Sequence, residues 1–258
     1  MNGTKLTVRD YKVSGDYYVF SFGNIAPDKM NDTITAALYA ERDGQLFVSE
    51  KLEYSIADYC YRMLAKDEVK ANAKLCTLLV DLLRYGAASQ TYIGYQTDAL
   101  ADKDLTRKQR AWGTTVDREL KSVTKVDYRT VENPSVKWVG ASLDLYDSIT
   151  MQFAFTADNL EDITVKVEAE GGNPLMEIPA KDFVQGKTYH YARFKGLTAG
   201  QMSETVLVTA YRGGEKISNT VAYSIESYAA AKQNGADKLA DLVKTMMKYG
   251  DAASAYAK

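Results

Sequence analysis

The sequence predicts an α+β fold with a two-lobed internal repeat, each lobe a small antiparallel β-sheet or sandwich followed by a helical hairpin or a single helix. Three observations lead there. Residues 17–39 lie over residues 189–211 without a gap, so that Tyr17 meets Tyr189, Phe22 meets Phe194, Met30 meets Met202 and Tyr39 meets Tyr211. Short runs rich in Val, Ile, Thr and Tyr are bounded by turn residues such as Asp43-Gly44 and Gly213-Gly214. Leu75, Leu78, Leu79, Leu82 and Leu83 have the i, i+3, i+4, i+7, i+8 spacing of a buried helix face.

The first lobe is expected over 1–97. Strands are predicted at 17–23, 33–40 and 45–53, and helical sequence follows Ser55, a plausible N-cap. A connector is expected over 98–132. Within it Thr106 and Gln109 fit a capping box that opens a short helix over 106–112, ending at Gly113. Asn133-Pro134 punctuates the entry to the second lobe, 133–258. There the strands are expected at 136–146, 149–156, 163–169, 189–195, 204–211 and 216–223, and Ser224 caps the next helix. Tyr54-Ser-Ile56 meets Tyr223-Ser-Ile225, the leucine face meets Leu239, Leu242, Val243, Met246 and Met247, and Tyr85-Gly86 meets Tyr249-Gly250. Asp10 already aligns with Asp182, so almost nothing in the first lobe answers to 136–176. The first lobe is therefore either a reduced sandwich or part of a longer protein from which this chain is a segment; the second reading is preferred.

Composition narrows the function. Hydrophobic residues make up 46% and charged residues 26%, a globular balance. The 32 basic and 34 acidic residues are well mixed, which argues against a nucleic-acid partner, since a phosphate backbone calls for a concentrated basic face. No apolar run reaches the roughly 18 residues of a membrane span. Met1-Asn2-Gly3-Thr4 lacks the charged start and apolar stretch of a signal peptide, so the chain reads as a cytosolic protein or as a segment of a secreted one. Cys60 and Cys76 read as buried thiols, with a disulfide across a helical hairpin as the alternative. A metal site is not expected from two thiols and the single histidine, His190, and no cofactor is expected. Asp158, Glu161 and Asp162 offer oxygen ligands for calcium, but a solvated loop is the plainer reading.

No metalloprotease, serine-hydrolase, P-loop or dinucleotide fingerprint is present, and one histidine weakens any triad that uses histidine as its base. Paired carboxylates for glycoside hydrolysis need only proximity, and 34 acidic residues supply many accidental pairs. The chain is therefore read as non-catalytic. Its 19 Tyr against 7 Phe and 2 Trp point instead to recognition, because a tyrosine offers a flat apolar face and a hydroxyl at low entropic cost. Tyr17, Tyr39, Tyr54, Tyr85 and their repeat counterparts occupy architectural positions twice and read as structural. The candidate carbohydrate-binding residues lie outside that pattern: Trp112, Tyr95, Tyr92, Tyr128 and Trp138, in a groove between lobes, with Trp112 pinning the linker onto a lobe and Trp138 packing in a core strand as the structural alternatives. Gln96, Asp98, Lys108, Gln109 and Arg110 are candidate polar contacts.

Tyr54-Ser-Ile-Ala-Asp-Tyr-Cys-Tyr61, Leu82-Leu-Arg-Tyr-Gly-Ala-Ala-Ser-Gln90, Tyr92-Ile-Gly-Tyr-Gln-Thr-Asp98 and Trp138-Val-Gly-Ala-Ser-Leu143 resemble β-sandwich-plus-helix modules of secreted gut clostridial proteins that bear dockerins or anchors. Among these are the starch adherence proteins of an amylosome. The resemblance implies an extracellular or cell-surface location, a monomeric module within a larger protein, and starch or maltooligosaccharides as the partner. A structural or protein-binding module of a bacterial surface protein is the alternative.

Overall fold

A computed structural model of the chain describes residues 7–23, 25–123, 126–127 and 131–258. It is a mixed α+β structure with several antiparallel sheets and a few helices. In chain order the elements are β1 (Tyr11–Ser14), β2 (Tyr17–Phe20), a 3₁₀ turn at Pro27–Lys29, β3 (Ile34–Ala36), β4 (Tyr39–Arg42), β5 (Gln45–Val48), β6 (Leu52–Tyr54), α1 (Ile56–Ala65), α2 (Asp67–Lys70), α3 (Ala73–Ile93) and α4 (Arg107–Arg110). Then come β7 (Val126–Asp127), β8 (Val136–Asp144), β9 (Thr150–Ala157), β10 (Ile163–Ala169), β11 (Pro174–Pro179), β12 (Val184–Gln185) and β13 (His190–Phe194). After a second 3₁₀ turn at Ala199–Gln201 follow β14 (Val206–Arg212), β15 (Glu215–Lys216), β16 (Thr220–Tyr223), α5 (Ile225–Lys232) and α6 (Lys238–Tyr256).

Local chemistry sets the ends of these elements. Ser55 accepts from the Asp58 N–H, Ser224 from the Ser227 N–H, and Thr106 with Gln109 completes the expected capping box. Helix α4 is shorter than the sequence suggests, because Ala111 to Gly113 turn away to lie against α3. Both hairpin turns named from the sequence have positive φ at their two central residues, at Asp43-Gly44 and Gly213-Gly214.

In the C-terminal half two sheets face each other. One runs β11-β10-β14-β16-β7 with β15 on β14, and the other runs β12-β13-β9-β8. Phe153 and Phe155 project from β9, and Val165, Val167, Val206 and Val208 from β10 and β14, all 0% exposed. Phe153 meets Tyr223 edge-on across the gap, with centroids 6.1 Å apart. Alternation of buried and partly exposed residues from Ile163 to Glu168 of β10 is what a half-buried strand requires.

The N-terminal strands behave differently. They form three separate two-stranded ladders, β1-β2, β3-β6 and β4-β5. The continuous strands expected at 33–40 and 45–53 break into shorter pieces, because each has a neighbour on one side alone among the described residues. Phe20, Phe22, Leu38, Leu46, Phe47, Val48 and Leu52 are all more than 40% exposed.

The two halves meet through their helices. Helix α3 is buried along most of its surface, with Cys76, Leu79, Val80, Leu83 and Tyr85 all in the core. It packs along α6, and the rings of Tyr85 and Tyr249 stack at 5.7 Å and 14°. Gly86 lets the chain at Pro27 to Met30 approach, since a Cβ there would lie 2.6 Å from the Met30 sulfur. Gly250 does the same for Ala199 to Met202, with a Cβ 2.8 Å from the Met202 sulfur. The Ala57 N–H donates to the Met30 carbonyl at 3.0 Å, and the Glu226 N–H to the Met202 carbonyl at 3.0 Å.

Cys60 and Cys76 are free, buried thiols, and Cys76 donates to the Val69 carbonyl. The alternative of a disulfide across a hairpin is thereby set aside.

Gly86→Val or Gly250→Val is expected to cost about 2–3 kcal/mol by overpacking a site with no spare room, read as a lower urea midpoint. Burial pushes the Cys60 thiol up to about 12. Native protein at pH 8 should therefore leave Cys60 unmodified by iodoacetamide, and urea-unfolded protein should not.

Candidate functional site

The residues expected to line one groove do not meet in one place. Trp112 is half-buried, and its carbonyl accepts from the Thr77 hydroxyl near the start of α3. Tyr95 lies just beyond the other end of that helix, about 24 Å away at 1.5 Å per residue. The Tyr95 hydroxyl donates to Asp32, and the Lys29 ammonium sits 3.0 Å from its ring centroid, so this face already has a partner. Tyr92 is half-buried against the core. Trp138 is a strand residue whose indole N–H donates to the Asn219 carbonyl at 2.8 Å, while its ring packs edge-on against Phe153 and Phe155. Tyr128 lies outside the described residues.

The polar candidates are mostly engaged in local structure. Gln96 donates to Asp32, Gln109 closes the capping box, and Arg110 pairs with Asp102 at 2.6 Å. Asp98 and Lys108 are exposed. Where a cleft between lobes is expected, α3 and α6 fill the space instead, because the apolar faces that each helix carries bury one another.

The connector is also tied down. Asp81, 0% exposed, accepts from the Thr114 N–H and hydroxyl, and Gln90, also 0% exposed, accepts from the Ala101 N–H. Further on, the Arg118 guanidinium reaches both oxygens of Asp251, at 2.6 and 2.9 Å, and also bonds to Glu226. Beside it lies a small cavity of about 130 Å³ lined by Val116, Leu120, Gln233 and Met247, below the usual size of a ligand site.

A larger groove, about 650 Å³, opens on the outer face of the six-stranded sheet. It is lined by Asp162, Thr164, Lys166, Glu177, Lys181 and Tyr211 among others. The alternation of β10 sends Ile163, Val165 and Val167 inward and leaves Thr164 and Lys166 facing the groove. Lys166 lies opposite Glu177 in the ladder and pairs with it at 3.0 Å. The same ammonium stands 5.2 Å from the centroid of Tyr211. The Glu177 carboxylate raises the Lys166 ammonium above its ordinary value, so it is charged throughout the neutral range. One aromatic ring with two carboxylates and two ammoniums can contact a polyhydroxylated ligand through both its apolar and its polar groups.

Sequence reading missed this groove, because Tyr211 is the counterpart of Tyr39 and reads as architectural. The available signal was the alternation of 163–169, which puts Lys166 on the face opposite the core.

Other sites suggested by the sequence have structural partners. His190 packs its ring against Phe155, with Nδ1 buried and without a hydrogen-bond partner among the described residues. The loop at Asp158 to Asp162 is organised by Arg212, which donates to the carbonyls of Asn159 and Glu161. Among the described residues, no three His, Cys, Asp or Glu side chains stand close enough to hold a metal ion. Among them too, no helix is long and apolar enough to cross a membrane.

Comparison with known proteins found no matching family model, no similar curated protein and no similar solved structure.

The Arg118 cluster carries a pH dependence. Burial pushes the Glu226 carboxyl up, but bonds from Arg118, the Lys121 N–H and Ser203 outweigh it and hold the group below its ordinary value. A carboxyl depressed in the folded state stabilises the fold above its unfolded value, about 4.3. That contribution is lost as pH falls through the folded value. Stability should therefore drop as pH falls below about 4, and Glu226→Gln should flatten that limb, read as urea midpoint against pH. Arg118→Ala should cost about 2–3 kcal/mol at pH 7, less than a fully buried pair because Arg118 is 40% exposed.

Proposed function

We propose that the chain is a non-catalytic carbohydrate-binding module, built on a duplicated strand-and-helix unit, that holds an α-1,4-glucan of the starch type on the outer face of its six-stranded sheet. The observation that carries this reading is the groove of about 650 Å³ at Tyr211, where an aromatic ring stands among Asp162, Thr164, Lys166, Glu177 and Lys181. The apolar face of a sugar ring packs on Tyr211, from whose centroid Lys166 stands 5.2 Å away where Lys29 stands 3.0 Å from that of Tyr95, and its hydroxyls bond to the charged side chains around it. The starch assignment rests on the likeness of the Tyr54, Leu82, Tyr92 and Trp138 stretches to starch adherence modules, and with it goes an extracellular or cell-surface setting.

Paired geometry supports the duplication. The β3-β6 ladder sets Ile34, Thr35 and Ala36 against Tyr54, Glu53 and Leu52, and the β14-β16 ladder sets Val206, Leu207 and Val208 against Tyr223, Ala222 and Val221. These are the residues that the sequence alignment places over one another.

A second reading, a protein-binding module, is favoured by one observation, the exposed apolar strands of the N-terminal half. The two readings use different surfaces and do not compete.

Electrophoresis through native gels containing amylopectin, pullulan, xylan, xyloglucan or pectin tests the glycan reading. Amylopectin should retard the protein, and Tyr211→Ala should weaken that retardation at least tenfold, about 1.4 kcal/mol. Trp138→Ala is unsuited as a site probe because that ring supports the core. Unchanged mobility of the wild-type chain in all five gels would remove the reading.

A further inference from the structure

We infer that the N-terminal half docks a strand-donating polypeptide with the pattern of residues 136–179: two antiparallel hairpins, one added beside β2 and one beside β3, closing a sandwich over Phe20, Phe22 and Leu38. The inference rests on the duplication proposed above.

The two halves share strand register where both are present. In β1-β2, Lys12 pairs with Val19 and Val13 with Tyr18. In β12-β13, Val184 pairs with Tyr191 and Gln185 with His190, the residues aligned with those four. In the C-terminal half the other edge of β13 is taken by β9, and the other edge of β14 by β10. Among the described residues neither β2 nor β3 has a strand on the corresponding edge. In the C-terminal half the β8-β9 and β10-β11 hairpins occupy those edges.

Burial marks the same gap. Ala192, Phe194 and Ala210 are 0, 3 and 0% exposed, whereas their counterparts Phe20, Phe22 and Leu38 are 43, 49 and 53% exposed. Open strand edges beside half-exposed large apolar side chains are a template for strand addition. A glycan does not satisfy that surface, which asks for backbone N–H and C=O partners and an apolar lid. A second copy of this chain cannot give its own 136–179 hairpins, since its Phe153, Phe155, Val165 and Val167 are 0% exposed. The register follows: Phe20 faces the donor residue equivalent to Phe153, and Leu38 the one equivalent to Val165.

Asp182 aligns with Asp10, so a copy of residues 136–181 can be fused ahead of Asp10 of the full chain without a linker. Compared with the unextended chain, the extended one should lose most of its enhancement of 8-anilinonaphthalene-1-sulfonate fluorescence. Its amides in 17–22 and 34–38 should exchange at least tenfold more slowly. Phe153→Asp with Val165→Asp in the added copy alone should abolish both effects. Unchanged dye binding and exchange in an extended chain whose α3 and α6 amides remain protected would overturn the inference.

A cysteine pair, Phe20→Cys with Phe153→Cys in the added copy, separates the two ideas. Slowed exchange without the crosslink would keep strand docking and discard the duplication. Amylopectin retardation, measured on the same proteins, reports on the Tyr211 groove independently.

Should the extension prevent folding, the unextended chain still decides. Phe22→Glu with Leu38→Lys should reduce dye binding and leave the melting temperature within about 2 °C, as for exposed surface changes. A large fall in melting temperature, or a stable dimer by light scattering with 17–22 already protected, would overturn the inference.

Discussion

The packing of α3 along α6 is the contact on which the rest of the chain depends. Each helix carries a glycine at the point where a neighbouring loop must come close, Gly86 for Met30 and Gly250 for Met202. Each buried methionine backbone in turn receives an N–H from the first turn of the next helix, at Ala57 and Glu226. Tight helix contact therefore sets where both sets of strands leave the helical layer. Tyr85 and Tyr249 stack at its centre, which is why these two rings are lost to any recognition role. Burial pushes the Tyr85 hydroxyl well above its ordinary range, as expected of a ring sealed in that layer.

The connector shows how polar side chains can hold an irregular segment as firmly as apolar ones. Asp81 and Gln90 are fully buried on α3, and their oxygens satisfy backbone N–H groups at Thr114 and Ala101. An irregular segment cannot bury its amides without such partners. Arg118 then carries the chain across to Glu226 and Asp251, so that the segment between the halves is a clamp rather than a tether.

The halves divide the surface between two kinds of chemistry. The C-terminal sandwich is complete, so the outer face of its large sheet is free to be polar, and the groove at Tyr211, Lys166 and Glu177 lies there. The N-terminal strands carry exposed apolar residues that, among the described residues, no second sheet covers. A polar groove and an exposed apolar strand surface thus lie on different halves of one chain.

Much of the secondary structure was legible in the residues. The leucine spacing located α3, Ser55 and Ser224 marked the starts of α1 and α5, and Asp43-Gly44 and Gly213-Gly214 marked hairpin turns. These signals are local: a cap, a turn or a periodic face depends on neighbours a few positions away. The site was not legible in the same way. Trp112, Tyr92, Tyr95 and Trp138 stood out as aromatic residues outside a repeated pattern, but sequence alone does not separate a binding ring from a packed one, and the fold gives Trp138 a core contact and Tyr95 a lysine over its face. By itself the sequence determined most element types and the aligned apolar and aromatic positions of 17–39 and 189–211. Only the tertiary structure decided which tyrosines are buried, that helices fill the space between halves, and which sheet face bears a groove. Those outcomes depend on contacts between residues far apart in the chain, such as Lys166 with Tyr211 and Arg118 with Asp251.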